Sequence, residues 1–283
     1  MLSPELSVII PAFNSLRFIG PCLGSIFAQA IDSIEVVVVD NGSSDGTADF
    51  IKNNYPGKVL LLENKINLGA AKARNQGIEA AKGEWIFTQD CDVVLEKGFF
   101  PQVKELTGRV SGDTGMIQPK ILMTDKKTIY SCGIYLSRLL KRFYDIGKGT
   151  VDRGQFSKES DVFGACSAAA FYRKAMLEEI KDAHGYFDER FFFLAEDVDL
   201  ASRAQGKGYK AVYLPGAVCY HEGDSSATSA KMRQYLCWRN RKYLLAKLEI
   251  NKAVSALVFL IYDLPRYVFL ALTNPYIRTN NQA

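Results

Sequence analysis

Apolar positions in the first ninety residues fall into two alternating patterns. LSVII (6–10) and EVVVVD (35–40) are short, β-branched and nearly continuous, as in strands covered on both faces of a parallel sheet. Between them, SLRFIGPCLGSIFAQ repeats its apolar residues at helical spacing, so the three segments predict a βαβ unit. NGSSDGTADFIKNNY then offers turn residues, an N-cap choice among Ser43, Ser44 and Asp45, and a second helix. VLLLEN (59–64) predicts a third strand, NLGAAKARNQGIEAAKG a third helix stopped at Gly83, and EWIFTQD a fourth strand. Four strands alternating with three helices predict an open α/β sheet, whose ligands bind at the carboxyl ends of the strands. Asp40 and Asp90 stand at two such ends.

Beyond residue 100 the pattern is less regular. GMIQPKILM (115–123) and SCGIYLS (131–137) predict strands, and KRFYDIGKGTVDRGQFSKES, rich in glycine and charge, predicts a mobile loop that could close over a ligand. DVFGACSAAAFYRKAML predicts a strand running into a helix. An aromatic loop FDERFFFLAED, a helix DVDLASRAQGKG ending near Gly206 and a strand YKAVYLP follow. From about residue 230 the chain is basic, with seven Lys or Arg between Lys231 and Lys252 against the single acid Glu249, and then apolar. AVSALVFLIY (253–262) is interrupted by Asp263, Pro265 and Arg266 before YVFLAL, which predicts a stretch too broken to span a bilayer comfortably. It is either an interfacial anchor on an anionic membrane face or a helix packed on the main domain or a second subunit.

Composition narrows the class. With 283 residues, 48% hydrophobic and 23% charged, the chain is an ordinary folded protein, expected as one large domain with an appendage. A net charge of +4 is too mild to imply nucleic acid. The six cysteines form no C-x-x-C pair and no zinc spacing, so buried thiols in a reducing cytosol are expected. The start MLSPELSVIIPAF lacks the features of a signal peptide, which predicts a protein that is not exported.

The chemistry concentrates in the acids. The first strand runs into PAFN rather than G-x-G-x-x-G, and no G-x-x-x-x-G-K-[ST] occurs, which argues against dinucleotide oxidoreductases and P-loop NTPases. Asp40 can accept a hydrogen bond from a base imide, with backbone around Pro11 to Phe13 against the base, or it can merely cap the turn after its strand. Asp90 and Asp92 would share one face if extended geometry persisted past the fourth strand, and a cation bridging them to phosphate oxygens would compensate their charge. Arg74 and Asn75 could pair with Asp90 or a phosphate. Glu196, Asp197 and Asp199 open a predicted helix, where acids are favoured by its dipole. The aromatic residues before them could raise one carboxylate's proton affinity, which suits a general base. His221 is a candidate metal ligand, although a lone histidine is usually not one. His184 reads as structural.

VIIPAFNS, VVVVDNGSSDGT, NLGAAKARNQGIEAAKGEWI, QDCD, FGACSAAAFYRKAML, FFFLAEDVDLASRAQGKGY and HEGDSS occur in the order found in inverting glycosyltransferases of family 2, and residues 5 to 245 resemble that family. The resemblance implies the GT-A fold: a single Rossmann-like nucleotide-binding α/β domain with a mixed central sheet over residues 1–230, followed by a helical tail over 231–283. It further implies a nucleotide-diphosphate sugar donor, a glycan or lipid-linked acceptor, and a divalent cation, Mg or Mn. Pro11, Ala12, Asn14 and Asp40 match the base and ribose pocket, Arg74 and Asp90 the nucleotide-side network, Asp92 and His221 the metal ligands, and Asp197 the catalytic base. RQYLCWRNRKYLLAKLE resembles the rhamnosyltransferase-like subgroup of cell-surface polysaccharide synthesis. The implied location is the cytoplasm, either free or peripheral on the membrane's cytoplasmic face. Cys91 departs from the Asp or Pro that many relatives carry between the two acids, which puts the metal preference in question. Two other classes fit less well. A sugar nucleotidyltransferase would carry a Gly-rich basic loop after the first strand, and a non-catalytic carbohydrate-binding protein would not need Asp90, Asp92, Asp197 and His221 together.

Overall fold

A computed structural model describes residues 4–29, 31, 33–137, 141–223, 228–248 and 252–280. β1 (Leu6–Ala12), α1 (Leu16–Phe27), β2 (Ile34–Asp40), α2 (Thr47–Asn54), β3 (Leu60–Glu63), α3 (Ala70–Ala80) and β4 (Trp85–Gln89) alternate as the apolar pattern predicts. Then come β5 (Val93–Leu95), α4 (Phe99–Thr107), β6 (Thr114–Met123), β7 (Ile129–Ser131), β8 (Ile134–Leu136), β9 (Phe143–Asp145), β10 (Ser160–Val162), β11 (Ala169–Arg173), α5 (Lys174–Ile180), α6 (Glu196–Gly206) and β12 (Lys210–His221). α7 (Ala230–Lys247), α8 (Lys252–Val258), α9 (Leu264–Thr273) and α10 (Pro275–Asn280) complete the chain.

The main sheet runs β10-β12-β6-β11-β4-β1-β2-β3, with β5 on β12 and β7 on β6. β4, β1, β2 and β3 are mutually parallel, whereas β11 is antiparallel to both β4 and β6, so the sheet is mixed. Strand alternation sorts the core into two layers. Val8, Ile10, Val36, Val38 and Phe87 pack with Ile19, Leu23, Phe99 and Phe100 on one face. Ile9, Val37, Val39 and Ile86 pack with Ala71, Ala73, Ile78 and Leu177 on the other. Each such fully buried side chain contributes about 1.5–3 kcal/mol. Phe87 and Phe171 stack at 4.2 Å between ring centroids and tie β4 to β11.

Several local expectations are revised. α3 ends at Ala80 with an extended Ala81, not at Gly83. Gly83 is needed for another reason: a Cβ there would lie 2.7 Å from the Ser7 backbone nitrogen. The N-cap of α2 is Gly46, in the left-handed region and outside the three candidates; Asp45 just before it accepts the Thr47 N–H through Oδ1 at 3.1 Å and the Leu16 N–H through Oδ2 at 2.9 Å. Residues 131–137 form two short strands, β7 and β8, broken at Gly133. Much of 141–160, expected as a mobile loop, is ordered: β9 pairs antiparallel with β8, and Val151 bridges to Thr128. Apolar Phe143, Ile146 and Phe156 in that glycine-rich stretch pack on the core and hold it.

The tail also differs. Ala253–Thr273 is one continuous helix of 21 residues, long and apolar enough by length and composition to cross a membrane. Asp263 does not break it, because its carboxylate is neutralised by Arg241 Nε at 2.6 Å. A π-helical stretch at Phe259–Asp263 precedes α9 and sets Pro265, which has no N–H to donate, directly after the change of hydrogen-bond pattern. Leu257, Leu260, Ile261, Phe269 and Leu272 face outward, each more than half exposed. The helix is tied back to α7 by Trp238 stacked on Tyr267 and by Lys231 Nζ donating to the Thr273 carbonyl at 2.8 Å.

Candidate active site

Strand order places the site. β2 and β3 lie to one side of β1 and β4 to the other, so the ends of β1 and β4 diverge at a switch point where a crevice opens. Pro11 and Ala12 close β1 on one side of it, and Asp90 follows β4 on the other. Asp90 and Asp92 do not sit on an extended strand. The Asp90 carbonyl accepts the Val93 N–H at 3.1 Å, so a tight turn, not strand alternation, brings the two carboxylates together. β5 then pairs antiparallel with the end of β12, setting Val93 opposite His221. That register puts His221 Nε2 at 3.1 Å from Asp92 Oδ1 and 3.9 Å from Asp90 Oδ2.

Asp90, Asp92 and His221 each offer a ligand atom within 4.8 Å of the others. Two carboxylates and an imidazole, with Asp92 and His221 buried, suit a hard or borderline divalent cation such as Mg or Mn, so the residues present fit the implied metal. Burial opposes a charge on His221, but the hydrogen bond and charge of Asp92, with Asp90 beyond, raise its pKa. Tyr130 packs edge-on against the imidazole at 4.3 Å and fixes the ring plane. Cys91 stays outside this set. Its Sγ lies 3.0 Å from Ser15 Oγ, and burial together with the Asp92 charge pushes the thiol up to about 12, so it remains protonated.

Arg74 joins the two acidic clusters. Its guanidinium is buried, with Nη2 at 2.7 Å from Asp90 Oδ1 and Nη1 at 2.6 Å from Glu196 Oε1. Burial disfavours the charge, yet the two acids keep it firmly protonated. Asn75 does not reach Asp90: its amide exchanges hydrogen bonds with the Phe187 backbone, accepting N–H at 2.9 Å and donating to the carbonyl at 2.8 Å.

The three acids of α6 now separate by environment. Glu196 is held by Arg74, and Asp199 by Arg203 at 2.9 Å and Lys247 at 2.7 Å. Asp197 has no ion-pair partner among the described residues; its Oδ2 accepts the Ser167 N–H at 3.2 Å and its Oδ1 the Val198 N–H at 2.9 Å. Burial, then the charges of Glu196 and Asp145, raise its pKa to about 7.

A cavity of about 490 Å³ collects these groups: Pro11, Ala12, Arg74, Asp90 and Asp197 all line it. Asp92 borders a second cavity of about 530 Å³. Asn14 and Asp40 stand outside the first cavity's lining. Asn14 joins two loops, its N–H donating to Ser43 Oγ at 2.8 Å and its Oδ1 accepting the Ser44 N–H at 2.9 Å. Asp40 does cap its turn, with Oδ2 accepting the Ser43 N–H at 3.1 Å, while its buried Oδ1 has no hydrogen-bond partner among the described residues. The turn-cap reading of Asp40 therefore holds, with Oδ1 left as a spare acceptor. The part of HEGDSS from Asp224 to Ser226 lies outside the described residues.

Tyr130, Asp145 and Lys148 also line the main cavity and were missed by the sequence. Lys148 Nζ lies 2.8 Å from Asp145 Oδ2 and 4.3 Å from the Tyr130 ring centre. The pairing of β7 with β6 brings Tyr130 there and that of β9 with β8 brings Asp145 and Lys148, and the apolar Phe143 and Ile146 near Asp145 were the available signal.

A model of glycosyl transferase family 2 matches residues 7–181. The glycosyltransferase GlyG of Streptococcus pneumoniae is 34% identical over 112 residues, 37% of this chain and 36% of GlyG, so the match spans little more than a third of that relative's length. EpsH of Bacillus subtilis, a putative glycosyltransferase by name, is also 34% identical, over 32% of its own length. The PGL/p-HBAD biosynthesis glycosyltransferase of Mycobacterium bovis is 28% identical over 69% of this chain and 68% of its own. Among solved structures, the mannosyltransferase PcManGT from Pyrobaculum calidifontis, in complex with GDP-Man and Mn2+, matches with a TM-score of 0.62 at 20% identity, over 98% of this chain and 72% of that one. S. aureus TarS 1-349 with UDP-GlcNAc gives 0.59 at 20% identity, over 95% and 73%. Likeness at that identity speaks for the shared GT-A fold, and the family match runs from β1 through α5. By that match and by its architecture, the chain belongs to glycosyl transferase family 2.

Proposed function

We propose that this chain is an inverting glycosyltransferase that moves a hexosyl unit, rhamnosyl in the narrower reading, from a nucleotide-diphosphate sugar to a hydroxyl of a glycan or lipid-linked acceptor in cell-surface polysaccharide synthesis. The observation that carries this reading is Asp197. It is the one acid of α6 without an ion-pair partner among the described residues, its pKa is raised to about 7, and it lines the same cavity as Arg74 and Asp90. A base with that proton affinity is matched to a neutral working pH.

In this reaction Asp197 takes the proton of the acceptor hydroxyl while that oxygen attacks the anomeric carbon. The bond from that carbon to the diphosphate breaks, and the configuration inverts. Pro11, Ala12, Asn14 and Asp40 form the base and ribose side, where Asp40 Oδ1 has acceptor capacity to spare. Arg74 holds Asp90 in place and engages the Glu196 carboxylate in an ion pair, leaving Asp197 as the acid of α6 that faces the acceptor. Asp92 and His221, with Asp90, are the residues that would hold a divalent cation. That cation supplies positive charge for the departing diphosphate when bound.

Residues 1–230 carry the chemistry in this reading, and 231–283 form an appended helical tail. The exposed apolar side chains of Ala253–Thr273 favour a peripheral position on the cytoplasmic face of a membrane. The contacts of Arg241 and Lys231 with that helix, which hold it alongside α7, support an interfacial placement over a bilayer crossing.

The test is a panel of nucleotide sugars scored for nucleotide release with Mg, with Mn and with EDTA, with the product's anomeric configuration read by NMR. Acceptor-stimulated, cation-dependent release with inversion is the expected result. Glycan binding with no release from any donor would favour the non-catalytic reading, and nucleoside triphosphate formed from donor plus pyrophosphate would favour a nucleotidyltransferase.

A further inference from the structure

The segment that delivers Asp197 has an unfavourable backbone. Phe192, Leu194 and Ala195, none of them glycine, have φ of 66°, 72° and 71°. Such a backbone is strained for a residue with a side chain and persists only where its surroundings over-determine it. This run also turns several carbonyls away from any helix or strand, and buried carbonyls need donors.

Two helices supply them from opposite sides. From α3, the Ala71 N–H donates to the Phe192 carbonyl at 3.1 Å, and at Gly69 (φ +87°) a Cβ would lie 2.5 Å from the Phe192 ring. From α7, the fully buried Asn240 places Nδ2 at 3.0, 2.8 and 2.6 Å from the carbonyl oxygens of Phe191, Phe193 and Leu194. Arg239 adds Nη2 donations to the carbonyls of Arg190 and Phe191 at 3.1 and 2.8 Å. Its Nε donates to Asn240 Oδ1 at 3.0 Å, which turns the amide so that its NH2 faces the loop. One turn and more further along α7, Lys247 grips Asp188 at 2.9 Å and Asp199 at 2.7 Å, at either end of the same segment.

We propose that Asn240, oriented by Arg239, is the positioning residue for Asp197: it fixes the strained 191–195 backbone that sets the first turn of α6, and it touches no substrate itself. The inference rests on Asp197 acting as the base of the proposed transfer. It assigns a task to the Arg-Asn pair in RQYLCWRN that a sequence reading gave only to a tail, and it ties the buried face of α7 to the placement of the base. A carboxylate displaced by about 1 Å from its reacting geometry can lose about 10²-fold in rate.

The experiment uses the full chain. Asn240→Leu keeps the volume and removes the donor, Arg239→Met removes the orienting group from a partly exposed position, and Gln234→Ala on the exposed face of the same helix is the control. For Asn240→Leu, kcat is expected to fall about 10²-fold with the donor KM within twofold of wild type. Hydrogen exchange of amides in 187–197 is expected to quicken at least about tenfold while β1–β4 keep their protection. Arg239→Met shows the same split to a smaller degree and carries the test if Asn240→Leu does not fold. Wild-type kcat and unchanged exchange over 187–197 in both variants would overturn the proposal, as would a loss confined to KM. If the wild-type chain turns over no donor, it is the function reading that fails, and the exchange measurement alone then shows whether Asn240 holds the loop.

Discussion

Arg74 and Glu196 meet at 2.6 Å in the interior, neither side chain more than 5% exposed, and the same guanidinium binds Asp90 at 2.7 Å. One buried cation thus holds the acid after β4 and the acid that opens α6, the two elements whose separation sets the width of the site. Removing one member of such a group strands the others' charge. Arg74→Met is therefore expected to lower stability by about 3–5 kcal/mol, seen as a lower urea midpoint at pH 7. Glu196→Gln, which keeps an acceptor for Arg74, should cost much less. An unchanged midpoint in Arg74→Met would show that the site holds its shape without this bridge.

Asp197→Asn should lower transfer by about 10²- to 10⁴-fold while donor binding stays near wild type, because the amide keeps the shape but cannot take a proton. The raised pKa sets a direction in pH as well. Only the ionised form is a base, so wild-type kcat/KM should drop tenfold per pH unit below about 7. Stability runs the opposite way. A carboxyl whose folded pKa lies above its unfolded value favours folding fully at low pH, and that contribution is lost as pH rises toward about 7. Asp197→Asn should consequently gain on wild type in thermal stability between pH 4 and pH 8. A flat activity profile from pH 5 to 8 would move the base elsewhere.

Cation dependence can be read without turnover. Calorimetry of a nucleoside diphosphate with the wild-type chain should show affinity that Mn raises and EDTA removes, and Asp92→Ala or His221→Ala should abolish the Mn effect. Cys91→Ser should leave it intact, since that thiol is turned toward Ser15. Equal affinity with and without EDTA would discard the trio as a cation site.

For the tail, the full-length chain is expected to sediment with anionic liposomes and to be weakened, though not abolished, by salt, because basic and apolar contributions act together. Leu260→Glu with Phe269→Glu, both on outward-facing positions, should release it without lowering the melting temperature. Unimpaired sedimentation of the double variant would end the interfacial reading, and a changed mass in light scattering would point to a second copy instead.

Local pattern carried the first half of the molecule. β1 through β4 and the helices between them follow from apolar periodicity and turn residues, which act over a few positions. The acids were also legible, because Asp90 follows a buried run and Glu196-Asp197 follows three phenylalanines. Their division of labour was not. Glu196, Asp197 and Asp199 are chemically alike in sequence, and only Arg74, Arg203 and Lys247, each arriving from a different turn or element, neutralise two and leave the third.

The sequence by itself determined an α/β sheet with an acidic site at its strand ends, since strand burial and turn chemistry are written in neighbouring residues. Tertiary structure alone decided that Asp145 and Lys148 enter the cavity and that Asn240 reaches the loop before Asp197, and it gave Asp92 and His221, paired in the sequence only through the family resemblance, their 3.1 Å contact. The register of β5 on β12 and the docking of α7 are agreements between segments far apart in the chain. Such pairings depend on the whole core closing at once, and no local window of residues encodes them.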